Sequence, residues 1–297
     1  MRIVLFGSQG QVAQSVQRVA ASVGVHLTVL GREAFDLSAE NIDERLLLGL
    51  ARSADAIINA TAYTAVDKAE EEPDLAARLN AHAPGLLARA AADAGIPFLH
   101  VSTDYVFDGS GDRPRRPDDV TAPLGVYGQT KRDGEVAVTE AGGQSLILRT
   151  SWVFSPVGSN FVRTMLRLGA ERDEIGVVSD QIGGPTPAQD IAAALLTMAH
   201  MMQQNAELGG VHHFAGAPDV SWAEFAAAVM RHAGLSCRVR PIPSAEYPTP
   251  APRPANSRLD CRSTTAAFGI PRPDWRAGLV DVLRELGQLS DRDLSKT

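Results

Sequence analysis

With 297 residues, the chain has room for about two domains, or for one large α/β domain carrying an appended lobe. Hydrophobic residues make up 44% and charged residues 21%, the balance of a globular protein with ample core material. A net charge of −7 without any basic tract argues against nucleic acid or an anionic membrane surface as partner.

The chain opens on a β-branched and apolar run, residues 2–6, followed by Gly7-Ser8-Gln9-Gly10-Gln11-Val12-Ala13. The run resembles the start of a secretion signal but gives way at once to a glycine turn, which predicts a buried strand instead. The G-x-x-G-x-x-A spacing leads into a helical pattern through Val12, Val16, Val19 and Ala20. At a strand-to-helix junction such glycines let the backbone turn tightly and approach a pyrophosphate seated on the helix N-terminus. Gly7, Gly10, Gln11 and Val12 are therefore candidate cofactor contacts, and Ala13 is small enough for close helix–strand packing.

A second strand is expected over residues 26–30, ending in Gly31-Arg32. Dinucleotide folds that select NAD carry an acid at this strand's end for the ribose 2′-hydroxyl, and those that select NADP present an arginine. Arg32 reads equally as a 2′-phosphate ligand or as a solvated loop residue, and Asp36 and Leu37 fall where an adenine-side contact is expected. Residues 56–64 read as a buried parallel strand running out into a polar loop. Ligands bind at the carboxyl ends of strands in a doubly wound sheet, so Ala62, Tyr63 and Thr64 are expected to line the cofactor. An acidic segment precedes Pro73, residues 75–95 have helical period, and strand 98–101 leads to Ser102-Thr103-Asp104. This alternation predicts a parallel α/β sheet.

Residues 109–123, rich in Gly, Pro, Arg and Asp, predict a surface excursion. The helix after it carries Tyr127 and Lys131, whose four-residue spacing sets both side chains on one face. There an ammonium is expected to stabilise a tyrosinate and draw the phenol from ~10 toward neutrality, as acid–base catalysis requires. The plainer reading is a surface tyrosine beside a solvated lysine. Strand 145–150 completes a nucleotide-binding unit over residues 1–150.

Composition shifts near residue 151, and residues 151–297 are expected to form mainly a substrate-binding lobe, with some segments returning to the first sheet. Helices are expected over 161–170 and 190–202, a short strand over 175–178 and a Gly/Pro loop over 181–187. Met198, Met201 and Met202 fall near one helix side, which packing explains. His212 and His213 could share a metal, but no further ligand stands at useful spacing. Residues 241–254 are proline-rich and expected to be rigid and extended, after which Arg253, Asn256 and Arg258 gather donors suited to a phosphate or sugar. Nothing requires Cys237 and Cys261 to pair, and no apolar run is long enough to span a bilayer, so reduced thiols in a cytoplasm are expected.

Six blocks, in order, carry a family resemblance. They are the turn from Leu5 to Val12, the segment from Asn59 to Ala69, Ser102-Thr103-Asp104-Tyr105-Val106-Phe107, Tyr127-Gly128-Gln129-Thr130-Lys131, residues 148–153 and residues 253–259. Together they resemble the extended short-chain dehydrogenase/reductases, and within these the dTDP-4-dehydrorhamnose reductase family, over almost the whole chain. The resemblance implies an α/β protein: a Rossmann-type doubly wound parallel sheet with a smaller C-terminal α/β substrate-binding lobe. It implies reduction of a nucleotide-sugar 4-keto group by NADPH, with NADH a second candidate donor, in the last step of dTDP-L-rhamnose synthesis. Tyr127 would protonate the C4 oxygen, Lys131 would lower its pKa and hold the nicotinamide ribose, and Thr103 would hydrogen-bond the same oxygen. Thr103, Asp104 and Trp152 would contact the nucleotide sugar, with Arg253 and Asn256 as further donors.

A sugar-nucleotide dehydratase would want an acid after the Thr-Asp pair, where this chain has Tyr105. A 4-epimerase carries the same Tyr/Lys pair, usually with a three-glycine turn, and stays open. So does a non-catalytic NADP-binding subunit like that of methionine adenosyltransferase. Some relatives place a divalent metal at a dimer contact, held by carboxylates; the matching positions here are Ser15, Gln189 and Glu285. One carboxylate, a hydroxyl and an amide make a poor site for a hard cation, so no tight Mg²⁺ and a monomer or weak homodimer are expected.

Overall fold

The computed structural model describes residues 1–290. Strands β1 (Arg2–Phe6), β2 (His26–Leu30), β3 (Ala56–Asn59), β4 (Phe98–Thr103) and β5 (Ser145–Thr150) alternate with helices. These are α1 (Gln11–Ser22), α2 (Glu44–Arg52), α3 (Val66–Ala69), α4 (Pro73–Ala77), α5 (Ala83–Ala94) and α6 (Val126–Glu140). The second half supplies β6 (Val153–Phe154), α7 (Phe161–Glu171), β7 (Glu174–Val178), β8 (Ile182–Gly183), β9 (Thr186–Pro187) and α8 (Ala188–Gln204). After these come β10 (Gly210–His213), β11 (Val220–Ser221), α9 (Trp222–Ala233), β12 (Arg238–Ile242), β13 (Asn256–Ser257), α10 (Arg262–Phe268) and α11 (Trp275–Glu285).

The main sheet is parallel, in the order β10-β5-β4-β3-β1-β2. The chain steps outward from β1 to β2 and then returns to add β3 on the other side of β1. That reversal opens a crevice at the carboxyl ends of β1 and β3, where doubly wound sheets bind ligands. β3 is buried along its whole length and β1 from Ile3 onward, because helices cover both faces. This is why their sequences are continuous apolar runs rather than alternating ones. One face packs on α1 and α8 through Val16, Ala20, Ile191, Leu195 and Met198, and the other on α2 and α5 through Leu47, Ala51, Leu87 and Ala91. A second core belongs to the later residues, with Phe154, Phe225, Val229, Trp275 and Leu279 at its centre.

The sixth strand of the main sheet, β10, comes from beyond residue 150 and pairs with β5. His212 and His213 therefore lie in a sheet; His213 Nδ1 sits 3.0 Å from the Arg115 carbonyl, and burial pushes this histidine down to about 3. No group of three or more His, Cys, Asp or Glu that could hold a metal occurs among the described residues. Residues 181–187, expected as loop, contribute β8 and β9, and Pro241, expected in an extended loop, lies within β12 opposite Val177 of β7. A two-stranded sheet is all edge, where the missing proline N–H is tolerated.

The single helix expected over 75–95 is interrupted by one wide turn, Arg78–His82, in which the Ala83 N–H bonds to the Arg78 carbonyl. Pro84 has no N–H to offer Asn80 four residues back, so the ladder widens there. Cys237 and Cys261 are both free and buried. No helix among the described residues is long and apolar enough to cross a membrane.

Candidate active site

The cradle begins at Gly7, whose φ of 110° is one that a side chain rarely adopts. The resulting turn brings Gln9, Gly10, Gln11 and Val12 to the wall of a cavity of about 590 Å³ at the carboxyl ends of the strands. α1 starts there with no side-chain cap and no acidic residue in its first turn, so its N-terminal amides stay available to an anion. The Gln11 side chain locks the opposite wall, accepting from Ser155 Oγ at 2.9 Å and from Asn160 Nδ2 at 3.0 Å.

Ala62, Thr64, Thr103, Asp104, Tyr127, Lys131 and Trp152 line the same cavity. Four separate elements thus converge on one space. Tyr63 faces elsewhere: its hydroxyl donates to Glu72 at 2.6 Å, and its N–H to Asn80 Oδ1 at 2.8 Å. Arg32 is exposed beyond β2, Asp36 accepts from Ser38, and Leu37 is buried in the core at 5% exposure. None of these three is on the cavity wall.

Arg253 lines an adjoining cavity of about 630 Å³, which meets the first at Tyr105 and Trp222. Its guanidinium pairs with Asp67 at 2.8 Å. Asn256 points away from both cavities. Its Nδ2 donates to the Arg113 carbonyl at 2.8 Å, and its Oδ1 accepts from Arg258 Nη1 at 3.0 Å. With its amide spent on pinning the 109–123 excursion, it lies off both cavity walls.

The electrostatics also depart from expectation. Tyr127 is not drawn toward neutrality; loss of hydration around its hydroxyl pushes it up to about 12, with its contact with Thr103 opposing that rise. Lys131 exerts no visible pull because its ammonium end is directed elsewhere. Nζ lies 2.7 Å from the Val101 carbonyl oxygen and 3.1 Å from His100 Nε2. Burial lowers Lys131 itself to about 8, against the attraction of Glu135. Burial likewise raises Asp104 to about 6, and its Oδ2 has no hydrogen-bond partner among the described residues. Thr103 donates to Asp104 Oδ1 at 3.1 Å. The wall therefore presents a protonated phenol, a hydroxyl and a buried carboxyl side by side, a set suited to proton donation onto an oxygen.

Two features escaped the sequence reading. Trp222 closes the cavity from α9, stacked on Trp152 at 3.6 Å between ring centroids and 11° between planes. Trp152 has φ of 49°, unusual for a residue with a side chain. The pattern Ser221-x-x-Glu224 is a capping box legible in the sequence, and it puts Trp222 at the helix start; its meeting with Trp152 is long-range and has no local signature. The other feature is His100, a fully buried polar residue within an apolar strand, beside the triplet that carries Thr103.

Residues 1–288 match the family model of the RmlD substrate binding domain. The dTDP-4-dehydrorhamnose reductase of Sinorhizobium fredii is 44% identical, over 93% of this chain and 94% of that protein. A dTDP-4-dehydrorhamnose reductase structure from Clostridium acetobutylicum superposes with a TM-score of 0.89 at 32% identity, covering 97% of this chain and all of that one. The Bacillus anthracis dTDP-4-dehydrorhamnose reductase in complex with NADP gives 0.86 at 31% identity, over 96% of this chain and 99% of that one.

Proposed function

The chain belongs to the RmlD substrate-binding family, that of the dTDP-4-dehydrorhamnose reductases, and we propose from this that it reduces dTDP-4-dehydro-β-L-rhamnose to dTDP-L-rhamnose with NADPH, the closing step of dTDP-L-rhamnose synthesis. The observation that carries this reading is the convergence of the glycine turn, Thr103, Tyr127, Lys131 and Trp152 on one cavity. NADPH, when bound, supplies the hydride for C4 of the sugar.

The uncapped start of α1 and the turn at Gly7 and Gly10 receive the diphosphate, while Ala62 and Thr64 flank it from the neighbouring strand end. Arg32, exposed past β2, is our candidate for the 2′-phosphate. Tyr127 passes its hydroxyl proton to the C4 oxygen as that oxygen gains charge. Thr103 turns its proton from Asp104 to the same oxygen, giving two donors at the one atom where charge develops. Lys131, beside Tyr127 on α6, holds the ribose end. Trp152 and Asp104 meet the sugar, and Arg253 in the adjoining cavity meets the nucleotide's phosphates on leaving Asp67. We assign the reaction to the cytoplasm, to a monomer or weak homodimer, and to an enzyme without a tight Mg²⁺.

The test is oxidation of NADPH, followed by its near-ultraviolet absorbance, on adding dTDP-4-dehydro-β-L-rhamnose, with NADH in parallel. Turnover with formation of dTDP-L-rhamnose is the expected result. Tight NADPH binding with no oxidation would overturn the reading in favour of a non-catalytic subunit.

A further inference from the structure

Helix α6 docks on the sheet through a face almost free of large apolar side chains. Its buried residues are Gly128, Thr130, Lys131, Gly134, Glu135 and Val138. Polar contacts take the place of packing. Lys131 Nζ lies 2.7 Å from the Val101 carbonyl oxygen. One turn later, Glu135 Oε1 accepts at 2.5 Å from the hydroxyl of Ser102, the next residue of β4. Glu135 also reaches β5, where Arg149 donates to it through Nε at 2.9 Å and through Nη2 at 2.6 Å. The two side chains of this pair are only 4% and 7% exposed. The remaining arm of the guanidinium is fixed as well: Nη1 donates to the Pro117 carbonyl at 3.1 Å, and the group lies 5.0 Å from the centre of the Phe107 ring.

A buried ion pair adds little net stability, because desolvation offsets most of its attraction. This one stands one helical turn from a lysine that is itself sealed at 1% exposure. We propose that Glu135, fixed by Arg149 and Ser102, is the counter-charge of Lys131 and keeps this lysine an ammonium within the site. The proposal rests on Lys131 serving the reduction described above. It makes Glu135 and Arg149 positioning residues, since neither lines the cavity.

The other groups around α6 do not fill that role. On β4, His100 is held neutral by burial, and Asp104 beyond the strand lies toward Thr103 and Ser257. Tyr105 and Tyr127 are phenols that burial keeps protonated, and His213 of β10, behind Arg149, is pushed down to about 3. Asp67 of α3 is taken by Arg253, Arg78 of the wide turn by Glu40, and Glu70 by the Val126 N–H at the start of α6. Lys68, Asp74, His82, Arg89, Asp93 and Glu140 are exposed, and Arg132 pairs with Asp133 on the outer side of α6. Burial lowers Lys131 to about 8, and the attraction of Glu135 opposes that fall. With the carboxylate in place, Lys131 is charged at neutral pH and loses its proton near 8. Without it the proton leaves at lower pH, and Arg149, left unpaired, adds repulsion.

The direct test is a ¹³C NMR titration of the lysine Cε atoms in the cofactor-free full chain. The chain has three lysines, Lys68, Lys131 and Lys296, and loss of one signal in Lys131→Met identifies the relevant one. In Glu135→Gln the Lys131 titration should move down by about one unit or more, and the alkaline limb of the kcat/KM profile for NADPH oxidation should move with it. Glu135→Asp, which keeps the charge, should titrate close to the wild type. An unmoved Lys131 in folded Glu135→Gln protein, or an equal shift in Glu135→Asp, would refute the counter-charge and leave Glu135 a structural residue. If Glu135→Gln does not fold, Glu135→Gln/Arg149→Met replaces it, since that protein leaves neither charge unpaired. A downward shift is again expected there, and its absence is fatal to the idea. The expected shift in a protein that never oxidises NADPH would leave the counter-charge standing and sink the reduction instead.

Discussion

A phenol held at about 12 stays protonated throughout the neutral range, which is the form a reduction requires of Tyr127. Burial keeps that proton in place until the sugar oxygen is presented. Tyr127→Phe, measured by steady-state NADPH oxidation, should lower kcat by about 10² or more while leaving the substrate KM nearly unchanged. Lys131 carries the opposite balance of function and stability. Its folded-state pKa of about 8 lies below the 10.5 of a free lysine, so the cost of burying its charge is complete below about 8 and is relieved as pH climbs to 10.5. Stability of the wild-type protein should therefore rise with pH across that window. Lys131→Met should remove the rise, lift the melting temperature by several degrees at neutral pH and suppress activity. The four-residue spacing of Tyr127 and Lys131 was legible in the sequence because a helix alone puts them on one face. Their pKa values were not, since these depend on β4 and on His100, a partner 31 positions away.

At the scale of elements, the site hangs on the fit of α6 against the wide turn at Arg78–His82. Pro84 releases the Asn80 carbonyl from the helix ladder, and that carbonyl then presses on Gly134 of α6 so closely that a Cβ there would overlap it. The Asn80 side chain fastens both neighbours: Oδ1 accepts from Tyr63 N–H at 2.8 Å, and Nδ2 donates to Thr130 Oγ1 at 3.1 Å. One residue thus ties the strand-end loop of Ala62 and Thr64 to the helix of Tyr127 and Lys131. Gly134→Ala should push α6 outward, costing about 1–3 kcal/mol in urea unfolding and lowering kcat, although no catalytic group is altered. A control at Gly24, where a Cβ meets nothing within 4 Å, should leave kcat unchanged. Helical period was readable over residues 75–95, but the interruption was not, because Pro84 sits early in α5 and reads as a helix start.

The whole molecule is threaded back and forth between its two cores. After β5 the chain builds α7 and β7 in the second core, returns to the first through α8 and β10, and leaves again for α9. A cut near residue 150 in sequence would strip the main sheet of its sixth strand; that some later segment returns to this sheet was expected, but which one was not legible because β10 is short and polar at its end. Of the positions considered for a metal, Ser15 of α1 is buried at 6% exposure, while Glu285 of α11 is paired with Arg18 of α1 at 2.6 Å. A carboxylate already neutralised by an arginine is a weak cation ligand. Activity should survive EDTA, and the mass from light scattering should be the same with and without Mg²⁺; a dimer lost on chelation would contradict this.

The stack of Trp152 on Trp222 turns the cavity into its own optical gauge. The protein has three tryptophans, and the third, Trp275, is buried at 2% exposure, edge-on to Phe225 in the second core. Two of the three indoles thus border the space assigned to nicotinamide and sugar. Reduced nicotinamide absorbs where indole emits, so NADPH should quench emission near its maximum and gain blue emission by energy transfer, whereas NADP⁺ should give no transferred light. Trp222→Phe should remove about half of that transfer and Trp275→Phe almost none. Equal transfer in all three proteins would mean that the light is gathered elsewhere.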